Sequence, residues 1–184
     1  MKGERQSMLS TKQPAPPINA VSISGRPVEL SEFPGKKVLV KFHRFSGCPL
    51  ARRQIHELVE GQEALNAVGI ETIVVLHSSA EKMRPNFDEV PGLHLIGDPE
   101  KTLYHAYQAE FRWRRLLSAA TWAETLASFT RGYLPQVTRF QGGIIGVPCD
   151  FLLDEDSTII ATHYGGHFGD SWTATDALEA AAAG

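Results

Sequence analysis

The sequence predicts one α/β domain in which a mixed central sheet lies between layers of helices. Residues 37–42 and 70–76 are near-continuous apolar, β-branched runs, which is typical of buried strands. Helical segments follow these runs, and such alternation favours parallel pairing of the strands. Residues 151–153 and 158–162 flank a polar turn and predict a hairpin, which would add antiparallel strands at one edge. A chain of 184 residues suits a single domain of this kind.

The first half of the chain shows the alternation most clearly. A short strand is expected over residues 18–23, before a turn that contains Gly25 and Pro27. Apolar residues at helical spacing then predict a long helix after the strand at 37–42. The expected elements, in order, are a strand at 37–42, a helix ending near Gly69, a strand at 70–76, a short helix capped by Ser78 and Ser79, a strand at 93–96, and a helix with Asp98 as N-cap and Pro99 at its first position.

The second half departs from this rhythm. Residues 109–143 are interpreted as an insertion of two amphipathic helices, because Trp113, Trp122 and Phe129 supply more apolar area than a short connection carries. The insertion is expected either to cover one side of the functional pocket or to make a homodimer contact. After the hairpin, Asp170 and Ser171 are expected to cap a last helix. Its inward residues would be Ala174, Ala177, Leu178 and Ala181.

Composition narrows the class of function. The formal net charge is only −3, so the composition does not suggest nucleic acid or an anionic membrane as a partner. No stretch approaches the length of an apolar membrane span. Residues 1–17 are polar and rich in proline and lack the apolar core of a secretory signal, so they are interpreted as a flexible lead-in to a domain at 18–184. A cytoplasmic location is the corresponding expectation.

The chemistry is expected at Cys48. The chain has two cysteines, far apart in sequence, which is too few for a disulfide scaffold. Cys48 follows a buried strand and opens the next helix, where backbone N–H groups and the helix dipole favour an anion such as a thiolate. Pro49 lacks an N–H and suits the first turn of a helix. Gly47 lets a substrate approach the backbone closely.

Two segments carry a resemblance to a known family. The run from Phe42 to Pro49 (FHRFSGCP) and the segment Val147-Pro148-Cys149-Asp150 resemble the thioredoxin superfamily, in its peroxiredoxin-like branch related to AhpC/TSA. The resemblance covers about residues 18–184. It implies a thioredoxin-like three-layer α/β/α sandwich with a helical insertion. It also implies that Pro148 is a cis-proline facing Cys48.

The sequence departs from this pattern at four positions. Ala51 stands where a thioredoxin has the second cysteine of its Cys-x-x-Cys motif. Lys41 and Phe45 stand where a typical peroxiredoxin has proline and threonine. Pro148 stands near the usual position of the peroxiredoxin site arginine.

The resemblance implies a thiol-dependent oxidoreductase that needs no bound cofactor. The Cys48 thiolate would attack a peroxide or a disulfide, and Cys149 or an external thiol would resolve the product. Reduced thioredoxin or glutathione would complete the cycle as a partner. His43, Arg44, Arg52 and Arg53 are candidates to lie near the thiolate or to bind an acidic substrate, with His43 and Arg52 counted among the site-shaping residues.

Two other readings stay open on the sequence. The chain could be a redox-inactive binding module that uses the insertion as its interaction surface, which the residues at Ala51 and Phe45 favour. Alternatively, Cys48, Cys149 and either His43 or His163 could hold a zinc ion, since these ligand types suit that metal.

Overall fold

A five-stranded sheet forms the centre of the molecule. The computed structural model describes residues 8–109, 119–135 and 148–183. The strand order is β5-β4-β3-β6-β7, and a separate two-stranded sheet pairs β1 with β2. The strands are β1 (Asn19–Val21), β2 (Pro27–Glu29), β3 (Lys37–His43), β4 (Ile70–Leu76), β5 (Leu93–Gly97), β6 (Cys149–Leu153) and β7 (Ile159–Tyr164).

The central sheet is mixed, as the sequence predicts. β3 pairs in parallel with β4, and β4 pairs in parallel with β5. β6 pairs antiparallel with both β3 and β7, so the terminal hairpin forms one edge of the sheet. Phe42 lies opposite Cys149 in this register, and Lys41 lies opposite Asp150. Because paired residues share a face of the sheet, the two cross-strand pairs point to opposite sides.

Helices cover both faces of the sheet. They are α1 (Pro49–Ala67), α2 (Ala80–Met83), α3 (Thr102–Ala106), α4 (Ala119–Thr130) and α5 (Ala174–Ala183). On one face α1 and α5 pack over Leu39, Val74 and Leu152. The two helices approach closely at Gly61, where an added Cβ would lie 2.4 Å from that of Ala174. A side chain at position 61 would therefore push these helices apart.

The opposite face carries an aromatic core. Phe42, Tyr104, Tyr107 and Phe151 pack there with ring centroids 5.0 to 6.0 Å apart. These edge-on and tilted contacts are the arrangements that aromatic quadrupoles favour. The N-terminal strands and α3 complete this layer, which makes the predicted three-layer α/β/α sandwich.

Two predicted caps differ from the observed ones. α3 begins at Thr102 rather than beside Asp98, yet the Asp98 carboxylate accepts hydrogen bonds from the backbone N–H groups of Thr102, Leu103 and Tyr104. Asp98 therefore satisfies the N-terminal donors of the helix from a distance in sequence. α5 begins at Ala174, and its start is capped by reciprocal hydrogen bonds between Thr173 and Asp176.

Residues before β1 and within the insertion also make defined contacts. The backbone of Lys12 and Ala15, in the segment assigned to the lead-in, donates hydrogen bonds to Ile159 and Ser157. Of the insertion, the structure describes Ala109 and residues 119–135, which contain α4. Trp113 and the side chain of Trp122 lie outside the described residues. Within the described residues, no helix is long and apolar enough to cross a membrane.

Candidate active site

Cys48 lies where β3 ends and α1 begins. It is the N-cap residue of α1, with extended backbone angles, and its carbonyl accepts the first helical hydrogen bond, from the N–H of Arg52. Pro49 occupies the first helical position, where a missing N–H has no cost. The preceding turn is closed by a bond from the Cys48 N–H to the Phe45 carbonyl. The sulfur therefore sits at the positive end of a 19-residue helix.

A guanidinium group contacts the thiol directly. The Nη1 of Arg44 donates a hydrogen bond to the Cys48 Sγ across 3.5 Å, and both side chains are buried. The Arg44 guanidinium carbon lies 4.2 Å from the centre of the Phe168 ring and 5.5 Å from that of Phe45. These cation–π contacts hold the cation beside the sulfur. A positive charge so placed stabilises a negative charge on sulfur.

Phe168 belongs to a loop, residues 165–173, that follows β7 and crosses the site. It packs in one cluster with Cys48, Leu50 and Ala51, against which Phe45 also lies. The cluster is enclosed enough that only 2 % of Cys48 is exposed. Ala51, which replaces the second cysteine of the thioredoxin motif, is thus part of an apolar wall around the thiol.

A buried ion pair beneath the site holds this loop. The Nζ of Lys41 lies 2.7 Å from the Asp150 carboxylate and also donates to the Ser171 hydroxyl and the Trp172 carbonyl. Asp150 in turn accepts hydrogen bonds from the Ser171 hydroxyl and the Trp172 N–H. Each donor in this network has an acceptor and each acceptor has a donor. These hydrogen bonds offset the desolvation cost of burying the charge pair. Lys41 therefore has a structural function at the position where a peroxiredoxin has proline.

His43 is buried beside this pair. Burial and, to a smaller extent, the neighbouring Lys41 cation lower the pKa of His43 to about 3, against the opposing effect of the Gln54 side chain. Among the described residues, neither ring nitrogen has a hydrogen-bond partner of normal geometry. The imidazole is therefore neutral at physiological pH and supplies no positive charge to the thiol.

Cys149 lies in a different environment. Its side chain packs in the aromatic core with Phe42, Tyr104 and Phe151, whereas Cys48 belongs to the cluster of Phe168. Cys48 and Cys149 are not joined by a disulfide in the structure. Burial raises the pKa of Tyr104 well above its ordinary value, and Asp98 and Cys149 nearby raise it further. The sheet register thus directs the Cys149 side chain to the face opposite α1.

The remaining site-shaping candidates are spread around Cys48. Gly47 and Pro49 flank it in the chain and are buried. The Pro148 carbonyl accepts a hydrogen bond from the Gly165 N–H, so Pro148 contacts the start of the covering loop. Its predicted cis bond joins it to Val147, which lies outside the described residues.

Arg52 and Arg53 contact other groups than the thiol. Arg52 donates to the Leu134 carbonyl and lies over the Tyr133 ring, in the segment after α4, so it ties the insertion to the first turns of α1. Arg53 lies 3.7 Å from Glu57, one turn further along the helix. Part of the insertion thus packs beside the start of the helix that carries Cys48.

The arrangement of the described residues does not support the hypothesis of a zinc site. Within the part of the chain that the structure describes, no three His, Cys, Asp or Glu residues come together as a metal site. Of the residues invoked for zinc, Cys48 and Cys149 lie in separate clusters, and His163 pairs instead with Asp170 across 2.8 Å.

Sequence reasoning missed the parts of the site that come from distant segments. Arg44 stood among four basic candidates, and nothing in the sequence singled it out as the one beside the sulfur. Asp150 was named only as part of the segment around Pro148, with no function assigned to it, and Phe168 was not named. A charged residue in each of two apolar strands, Lys41 in one and Asp150 in the other, is a signal that could have suggested a buried pair.

Comparisons with known proteins agree with this geometry. The AhpC/TSA family matches the chain over residues 11–162. The fold is similar to that of a thiol peroxidase from Chromobacterium violaceum, at 13% identity and a TM-score of 0.64, covering 96% of this chain and 88% of that one. It is also similar to the reduced 2-Cys peroxiredoxin of Plasmodium vivax, at 14% identity and a TM-score of 0.63, covering 92% and 79%. No curated protein matches the sequence.

A thiol–disulfide exchange protein shares the fold as well. The thiol:disulfide interchange protein of the thioredoxin family from Chlorobium tepidum has 17% identity and a TM-score of 0.52, covering 96% of this chain and 98% of that one. The fold is therefore that of the thioredoxin-like proteins, with Cys48 at the start of α1. The chain belongs to the AhpC/TSA family. This membership supports a thiol oxidoreductase as the general class of activity.

Proposed function

We propose that the protein reduces hydroperoxides, with Cys48 as the attacking thiolate and Arg44 as its cationic partner. The observation that carries this proposal is the hydrogen bond from the Arg44 Nη1 to the Cys48 Sγ at the N-terminus of α1. The helix terminus and the guanidinium both favour negative charge at the sulfur. The same guanidinium can donate to a peroxide oxygen that enters beside the sulfur.

The first step transfers one oxygen atom. The Cys48 thiolate attacks one oxygen of the O–O bond, so that an S–O bond forms as the O–O bond breaks. Sulfur is oxidised to a sulfenic acid. The other oxygen leaves as an alcohol, or as water when the substrate is hydrogen peroxide, after it takes a proton from solvent. The Arg44 guanidinium stabilises the negative charge that develops on this leaving oxygen.

The second step uses an external thiol. Its thiolate attacks the sulfenic sulfur and releases water, leaving a mixed disulfide, which a second thiol reduces. Glutathione or a thioredoxin would supply these thiols. The placement of Cys149 in the aromatic core, on the sheet face opposite α1, supports an external partner over an internal one. The Phe45 and Phe168 rings over Cys48 support a peroxide over a large disulfide as the substrate.

Rapid mixing with hydrogen peroxide tests this proposal. The sulfenic acid is trapped with dimedone and assigned to a cysteine by peptide mass, in wild type, Cys48→Ser and Cys149→Ser. Trapping at Cys48 is expected in wild type and in Cys149→Ser, and Cys48→Ser should lose the peroxide reaction entirely, because a serine hydroxyl is a far weaker nucleophile than a thiolate.

Other outcomes point elsewhere. A Cys48 that forms no sulfenic acid but exchanges with a small disulfide would replace the peroxide reaction by disulfide exchange. Inertness toward both reagents would favour the redox-inactive binding module. A Cys48–Cys149 disulfide, detected by mass without reduction, would overturn external resolution and make Cys149 the resolving thiol.

A further inference from the structure

A side chain from a distant part of the chain packs in the cluster that encloses Cys48. Phe45 and Phe168 both pack against the thiol cluster, but Phe45 lies in the same short loop as Cys48. Phe168 lies in the loop at 165–173, more than a hundred positions further along the chain. It is 6 % exposed, against 2 % for Cys48, and it packs in the cluster that encloses Cys48. A change in this loop would alter access without altering the start of α1.

The structure holds Phe168 in place from both sides. Before it, the Gly165 N–H donates to the Pro148 carbonyl, and an added Cβ at Gly165 would lie 2.3 Å from the Asp170 carbonyl oxygen. After it, the Gly169 carbonyl accepts a hydrogen bond from Gln54 of α1. Further contacts anchor the rest of the loop, through Asp170 to His163, and through Ser171 and Trp172 to the Lys41–Asp150 pair.

The covering ring also contacts the group that activates the thiol. The guanidinium carbon of Arg44 lies 4.2 Å from the centre of the Phe168 ring, and its Nη1 lies 3.5 Å from the Cys48 Sγ. A reactant that binds between the Arg44 guanidinium and the sulfur would therefore come close to the Phe168 ring. A molecule as small as hydrogen peroxide needs a gap of only a few ångströms, whereas a reactant with an aromatic substituent must displace the Phe168 ring.

We propose that Phe168 is a specificity-determining residue, which admits small hydroperoxides to Cys48 and rejects bulky ones by size. The proposal rests on the proposed peroxide chemistry at Cys48 and adds to it the limit on the size of the substrate. The anchors at Gly165, Gln54 and Lys41–Asp150 make the limit effective, because they oppose movement of the loop away from the site.

Peroxide reactivity measured with two reactants of different size tests the proposal. The second-order rate constants of Cys48 with hydrogen peroxide and with cumene hydroperoxide are compared in wild type, Phe168→Ala and Phe168→Leu. The ratio of the two constants removes any general effect on the thiolate, including the loss of the ring that stacks on Arg44. Phe33→Ala serves as a matched control. Phe33 is a buried phenylalanine in the cluster on the opposite face, before the other end of β3.

We expect Phe168→Ala to change the ratio in favour of cumene hydroperoxide by at least about tenfold, the scale on which pocket size discriminates between substrates. Phe168→Leu should give a smaller change in the same direction, and Phe33→Ala should leave the ratio unaltered. Far-ultraviolet circular dichroism and a thermal melt show that each variant is folded.

An unchanged ratio in folded Phe168→Ala or Phe168→Leu would overturn the size limit while leaving the peroxide chemistry intact. If both alanine variants change the ratio equally, loosening of the domain explains the effect and Phe168 has no specific role. A wild-type Cys48 that reacts with neither peroxide contradicts the proposed function instead. If Phe168→Ala does not fold, the ratio in Phe168→Leu tests the size limit instead. The wild-type ratio is a second test, because a wild type that reacts faster with cumene hydroperoxide than with hydrogen peroxide also overturns the limit.

Discussion

Cys48 and Cys149 are equally buried, each 2 % exposed, but their surroundings differ in almost every other respect. Cys48 caps a long helix, accepts a hydrogen bond from Arg44 and lies on the side of the molecule that carries the Lys41–Asp150 pair. Cys149 lies in a strand among aromatic rings on the other side of the sheet. Burial therefore does not distinguish the two cysteines. The charges and dipoles around each sulfur do, and they are the basis for proposing Cys48 as the reactive one.

The difference follows from the sheet register. Lys41 and Asp150 face one side, and Phe42 and Cys149, each one position away, face the other. Where the C-terminal end of β3 pairs with the N-terminal end of β6, one side of the sheet is thus polar and the other is aromatic. A shift of one residue in the pairing would exchange these two environments. The contrast between the two sides can be tested by substituting the charged residues on the polar side, because each is expected to affect a different property of the protein.

The largest effect on stability is expected from Lys41→Met. This change leaves the buried Asp150 carboxylate without its cation, which costs about 3–5 kcal/mol in free energy of unfolding. Denaturant unfolding measures the loss. Lys36→Met is the matched control: Lys36 lies 2.6 Å from Glu71, but its side chain is half exposed, so its loss should cost no more than about 1 kcal/mol.

A double variant shows whether the pair or the volume matters. Lys41→Met combined with Asp150→Leu should recover part of the lost stability, because no buried charge then lacks a partner. The recovery is expected to be incomplete, since the Ser171 hydroxyl and the Trp172 N–H lose their acceptor. Equal losses for Lys36→Met and Lys41→Met would mean that the buried pair contributes no more than a surface pair.

The next effect is on reactivity and concerns Arg44→Met. Removal of the guanidinium should slow the reaction of Cys48 with hydrogen peroxide by roughly tenfold to a thousandfold, as the loss of one charge-stabilising donor does in other active sites. Stopped-flow measurement of wild type and Arg44→Met at the same pH gives the two rate constants.

Arg44→Lys keeps the positive charge and is the matched variant for this test. It should retain more activity than Arg44→Met, although it loses the planar stacking on Phe168. Full activity in Arg44→Met would show that the helix terminus alone is enough. Arg53→Met, which removes a guanidinium that lies beside Glu57, should have little effect on the rate constant.

The smallest effect is the change in stability that His43 causes between pH 6.5 and pH 5. Its pKa is lowered from 6.5 to about 3 in the folded protein, so the unfolded chain binds a proton between these values that the folded chain does not. The free energy of unfolding therefore decreases as the pH falls through this window, by at most about 1.4 kcal/mol per pH unit for one group. His43→Gln removes this contribution.

Urea unfolding of wild type and His43→Gln between pH 6.5 and pH 5 measures the contribution of His43 to the free energy of unfolding. Glu71, Glu89, Asp170 and Asp176 also have lowered pKa values, but they begin to take up protons in the unfolded chain only at the lower end of this range. Wild type should lose stability across it more steeply than His43→Gln. Parallel curves for the two proteins would mean that His43 can be protonated in the folded state.

Local patterns were enough to predict the elements and their order. The sequence correctly predicted the strands β3 and β4 from their apolar runs and the terminal hairpin from its polar turn. It also predicted α1 from the helical spacing of Ile55, Leu58 and Leu65. The position of Cys48 at the start of α1 was also predictable, because strand, Gly-Cys-Pro and helix are contiguous in sequence. Contiguous features are visible in a sequence because the backbone itself determines their geometry.

Tertiary structure decided which side chains surround the two cysteines. The pairing of β6 with β3 placed Lys41 against Asp150 and sent Cys149 to the aromatic side. The loop after β7 then brought Phe168 over Cys48 and onto Arg44. These contacts join residues more than 100 positions apart or depend on the parity of a register, and both are set by the packing of the whole domain rather than by any local pattern.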